Sequence, residues 1–119
     1  MPCIHEFGII DSLEDYNEDK YEPKKYNCIS VDDDFLTEIY HAGLKNKIKN
    51  LETFAHNVNR PFKGLAYCGI TLIPTQSLKY FLDIIVETNL KYKSKELKML
   101  IEKIFIAIKE NKWMIHYGI

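Results

Sequence analysis

Cys3 and His5 stand two residues apart near the start of this 119-residue chain, and Cys28, Cys68 and His116 follow at wide spacing. Positions two apart on a strand face one side, so a metal site drawn from several strands is the chemistry that these five side chains could support. Structural zinc sites take at least one close ligand pair from a turn, and no CxxC pair occurs. The expectation is no metal and no cofactor, with reduced thiols packed as small apolar side chains. No GxxxxGK[ST], GxGxxG or GxSxG motif is present, which removes the phosphate-cradling loops and the nucleophile elbow. Ser30 and Ser94 precede expected helix starts, where hydroxyls cap. One catalytic option is left: removal of Met1 would expose Pro2 as a secondary amine, which can act as a general base near neutral pH.

A second constellation is acidic. Residues 1–38 hold eleven carboxylates against three lysines, a balance of −8, whereas residues 39–119 carry thirteen bases and six acids, a balance of +7. Glu14, Asp15, Glu18 and Asp19 are interleaved with Tyr16, Tyr21 and Tyr26. Aromatic rings supply contact area and carboxylates steer toward a basic partner, so these seven residues form the candidate partner-binding set. The competing expectation is internal: the acidic third could serve as counter-charge for the lysine-rich remainder. Fifteen of the sixteen bases are lysine, with Arg60 alone. Specific nucleic-acid recognition leans on arginine, so a nucleic-acid partner is not expected.

The elements that must position these residues follow from periodicity. Residues 3–10 read as a strand, 11–25 as a long acidic loop, and 26–31, which alternate, as a second strand. Asp32, Asp33 and Asp34 suit the start of a helix, where carboxylates meet unpaired N–H groups. Phe35, Ile39, Leu44, Ile48, Leu51, Ala55 and Val58 continue its apolar side at spacings of three to five, with a bend at His41–Gly43. Residues 59–64 read as a turn and 65–73 as a central strand that Pro74 ends. Helices follow over 76–90 and, capped by Ser94, through Leu97, Leu100, Ile101, Ile104, Phe105 and Ile108. Residues 113–119 read as a closing strand. The order β-β-α-β-α-α-β predicts one α+β domain spanning 1–119, with a sheet of about four strands covered by helices. The expected core includes Ile70, Leu72, Leu82, Ile85, Leu100, Ile101, Ile104 and Phe105.

A hydrophobic share of 46% allows a true core. No apolar run approaches the roughly 18 residues a spanning helix needs, and residues 1–6 lack a secretory pattern. The expectation is a cytoplasmic protein without membrane contact. An acidic, tyrosine-containing segment from Glu14 to Tyr26, followed by Asp32–Asp34, on one domain without catalytic motifs resembles the small immunity proteins of bacterial toxin systems. That resemblance implies a non-enzymatic binding protein that neutralises a basic partner such as a nuclease toxin. Residues 1–10, with Met-Pro entering a strand, resemble the tautomerase superfamily, which implies an isomerase using Pro2. The acidic aperiodic segment that follows stands where that family has a crossover helix. A structural homodimer built on an apolar helix face or a strand edge is the third alternative.

Overall fold

A computed structural model describes residues 4–118, apart from the side chain of Asp15. Six strands form one antiparallel sheet: β1 (Ile4–Ile10), β2 (Ile29–Asp32), β3 (Glu52–Ala55), β4 (Pro61–Lys63), β5 (Ile70–Ile73) and β6 (Trp113–Tyr117), in the order β2-β1-β6-β5-β3-β4. Four α-helices accompany them: α1 (Asp33–Ile39), α2 (Lys45–Ile48), α3 (Thr75–Tyr92) and α4 (Lys95–Lys109). The α+β class holds, and the sheet has six strands where about four were expected. Of the two additional strands, β3 lies where a continuing helix was expected over Leu51–Val58, and β4 lies within the turn expected over residues 59–64.

Leu51, Thr53 and Ala55 are buried in alternation with Glu52 and Phe54, which is strand periodicity. The backbone turns through residues 56–60, with the Ala55 amide donating to the Arg60 carbonyl at 2.9 Å. Gly64, at φ +81°, then brings its own amide to the Leu51 carbonyl at 2.8 Å. The second strand begins at Ile29, later than expected. Asn27, at φ +51°, turns the chain just before it. Ser30 lies inside β2 and does not cap; Asp32 does, accepting from the Phe35 amide at 3.2 Å. Ser94 caps α4 as expected, its hydroxyl accepting from Leu97. The strand expected over 65–73 is confined to β5, which lies between β6 and β3 inside the sheet.

Because strand side chains alternate, the sheet buries both faces. On one face, Phe7, Val31, Ile73 and Met114 pack against Leu36 and Ile39 of α1, Ile48 of α2, Leu78, Phe81 and Ile85 of α3, and Leu97, Leu100 and Ile104 of α4. On the other, Ile10, Leu72, Ile115 and Tyr117 pack with Tyr26, and Tyr16, Cys28, Phe54, Ile70 and Trp113 close the edges. The loop over 11–28 thus covers the face that carries no helix. Phe105 is 59% exposed, against its expected place in the core. The inward line on α4 is Leu97, Leu100, Ile104 and Ala107, and a side chain 100° around the helix from Ile104 falls outside it. Among the described residues, no helix is long and apolar enough to cross a membrane.

Candidate functional site

The acidic loop is built by local turns and then fastened to the sheet. The Ser12 hydroxyl accepts from the Glu14 amide and starts a single helical turn over Leu13–Asp15. The Asn17 side-chain carbonyl accepts from the Asp19 amide at 2.9 Å, an Asx turn of the kind that sets a tight local path. Tyr16 then points inward, and its hydroxyl donates to the His56 carbonyl at 2.5 Å. Burial, and secondarily the Glu18 carboxylate, raise the Tyr16 phenol well above its usual range. It therefore stays a neutral donor. Tyr26 is 4% exposed, inside the second core. Its carbonyl accepts from the Ile9 amide at 3.1 Å. The Glu22 amide donates to the Tyr117 hydroxyl at 3.3 Å, and the Tyr21 ring meets the Tyr117 ring edge-on at 4.9 Å.

The seven expected partner-binding residues are thereby divided. Tyr16 and Tyr26 face the sheet, while Tyr21 is 63% exposed. Glu14, Glu18 and Asp19 are exposed and line one hollow of about 490 Å³ together with Lys20, Glu22, Lys25 and Asn57. Of Asp15, the backbone position within the short turn is described. Among the described residues, no salt bridge ties Glu14, Glu18 or Asp19 to a lysine; the loop's cross-link to the lysine-rich remainder is Asp11 with Lys112 at 2.6 Å. The Asn57 amide donates to Glu18 at 3.3 Å and so joins the β3–β4 turn to the hollow. Neither Asn57 nor Glu22 was anticipated. Asn57 is 39 residues from Glu18, and only the pairing of β3 with β5 carries it there.

Among the described residues, the Cys and His side chains do not converge as a metal site. Cys28 is half-buried before β2, and Cys68 is exposed in the segment ahead of β5, contrary to the packing expected of it. Burial, with a smaller contribution from Glu6, pushes the Cys28 thiol up to about 12, so it stays protonated. Among the described residues, no three His, Cys, Asp or Glu side chains form a metal-holding group. Pro2 and Cys3 lie outside the described residues.

His5 and His116 do meet, on the helix-bearing face of β1 and β6, and both are fully buried. Nδ1 of His5 lies 2.9 Å from Nε2 of His116, and Nε2 of His5 lies 2.9 Å from Oδ1 of Asp33. Nδ1 of His116 is 3.3 Å from the Thr71 hydroxyl. Tyr67 donates to Asp33 at 2.7 Å, and Thr37 adds its hydroxyl to the Tyr67 hydroxyl. The hydrogen bonds from Tyr67 and His5, in that order, hold the Asp33 carboxyl below its usual range. All four imidazole nitrogens face groups within the chain, so neither ring presents a nitrogen to a substrate. The sequence could not announce this cluster, since His5 and His116 are 111 residues apart. No protein-family model, curated protein or solved structure matches this chain.

Proposed function

We propose that this chain is a non-enzymatic, cytoplasmic binding protein of the immunity type, which receives a basic protein partner on residues 14–22. The observation that carries this reading is the division of the loop into inward tyrosines and outward carboxylates around one open hollow. Residues 11–22 hold six acids against one lysine. Their summed field would steer a basic surface toward the hollow, and a lysine or arginine of the partner fits its size and charge. Tyr21 would supply exposed aromatic contact beside it. Pinning by Tyr16 and Tyr26 keeps the carboxylates in place before the partner arrives, which lowers the ordering cost of association.

The test replaces Glu14, Asp15, Glu18 and Asp19 together by Gln or Asn. Exposed carboxylates contribute little to folding, so the melting temperature should stay within a few degrees of the parent. Partner capture on the immobilised chain, with rates by stopped flow, should show association that slows as salt rises and is largely lost in the variant. Asp32→Ala is the control, since loss of the α1 cap costs about 1 kcal/mol of stability without touching the hollow. Equal capture by the parent and the fourfold variant would sink the assignment.

A further inference from the structure

The partners of the buried His5–His116 pair limit how many protons it can hold. Its hydrogen bonds are directed from both ends. The Ala66 amide donates to the Thr71 hydroxyl oxygen at 2.7 Å, and the Asp33 carboxylate at the far end only accepts. With one proton on each ring, Thr71 donates to His116 Nδ1, His116 Nε2–H donates to His5 Nδ1, and His5 Nε2–H donates to Asp33.

One further proton can be accommodated. His116 moves its proton to Nδ1, where the Thr71 oxygen accepts it, and the vacated Nε2 accepts from a doubly protonated His5, whose charge lies against Asp33. A second added proton has no such place. It would set two imidazolium N–H groups against each other across 2.9 Å, between rings nearly parallel at 8° and closed off from water. Phe7 covers His116 from the apolar side at 4.8 Å, backed by Phe81. The titratable groups facing the pair are Asp33 from α1 and Tyr67 from the segment before β5, with the exposed Cys68 thiol next to Tyr67. Burial raises the Tyr67 phenol, so it remains a donor and cannot offset a second charge. Burial and the neighbouring His5 likewise push His116 down to about 3.

We propose that the His5–His116 pair is an acid-released latch that holds α1 and residues 66–69 onto the end of the sheet. Asp33 and Thr37 belong to α1, and Tyr67 to the segment, so the elements joined at the pair are those that must part when both rings are charged. The opened pair takes two added protons and the closed pair one. The opening equilibrium therefore rises up to tenfold per pH unit below about pH 6. Cys68 and Gly69, in the latched segment, also border a smaller hollow with Glu18 and Asp19.

Amide hydrogen exchange on the whole chain between pH 7 and pH 5 tests this. Protection factors at Thr37 and at Ala66, whose amide donates to the Thr71 hydroxyl, should fall toward the tenfold-per-unit slope below pH 6, while those of Leu100 and Ile104 in α4 stay level. In His116→Gln a second imidazolium cannot form beside His5, so the slope at Thr37 and Ala66 should fall. A slope that is absent in the parent, undiminished in the variant, or equal in α4 overturns the latch. If His116→Gln does not fold, imidazole nitrogen shifts of the parent decide. A neutral His116 ring at pH 5 supports the latch, and two fully protonated rings in the folded chain overturn it.

Discussion

Gly8 of β1 lies beneath the backbone of Tyr26: a Cβ placed on Gly8 would stand 2.7 Å from the Tyr26 carbonyl oxygen and 2.6 Å from Cys28 Sγ. The neighbouring Ile9 amide donates to that same carbonyl at 3.1 Å. This close approach between the loop and the sheet is thus made across a residue without a side chain.

Gly8→Ala should accordingly lift the loop away from β1. Overpacking against backbone costs about 1–3 kcal/mol, and the Ile9–Tyr26 hydrogen bond would be weakened as well. Chemical unfolding should show the loss, and limited proteolysis should cut residues 11–28 sooner than in the parent. A variant as stable and as resistant as the parent would show that the loop is not seated on Gly8.

Leu100 and Phe105 should behave oppositely despite sharing α4. Leu100 is 1% exposed and Phe105 59%. Leu100→Ala should cost about 2–5 kcal/mol through lost transfer energy and a residual cavity, whereas Phe105→Ala should change stability by about half a kcal/mol or less. Urea unfolding of both variants checks the contrast, and a larger loss at Phe105 would reverse the orientation of α4.

High pH should detach the loop. Tyr16 is raised above the usual phenol range by burial and then by Glu18, and Tyr117 is pushed up to about 12, mainly by burial. A phenol with a raised pKa in the folded chain contributes stability that is complete below its unfolded value near 10 and is lost as pH rises through the folded value. Unfolding should therefore become easier between pH 10 and 12. Tyrosinate absorbance should rise in step with it, and Tyr16→Phe should make the dependence shallower. Stability level from pH 9 to 12 would contradict both assignments.

The helices α3 and α4 were legible because their apolar residues recur every three or four positions for four turns or more. The segment from Leu44 to Val58 was misread for the same reason. Its spacings of four, three, four and three fit a helix, yet Leu51, Thr53 and Ala55 equally fit a strand buried on alternate residues. The position of the acidic loop was legible in its composition. Which way Tyr16, Tyr21 and Tyr26 face was not, since an irregular segment has no period to define a side. The meeting of His5 and His116 depends on the register that sets Phe7 opposite His116 across β1 and β6, and strand register leaves no mark on the local sequence.

Met114 and His116 point to the helix-bearing side of β6, while Ile115 and Tyr117 point to the loop-bearing side. The two cores therefore share a strand in the middle of the sheet, bonded to β1 on one flank and β5 on the other. Neither core can dissolve while the other keeps β6 in register, because every second residue of that strand belongs to its neighbour's interior. Loss of the loop would uncover the second core, in which Tyr26 is buried, and loss of β6 is the end of both layers together. Unfolding should thus run as one cooperative transition, monitored equally by Trp113 fluorescence from the loop side and by helical circular dichroism from the other.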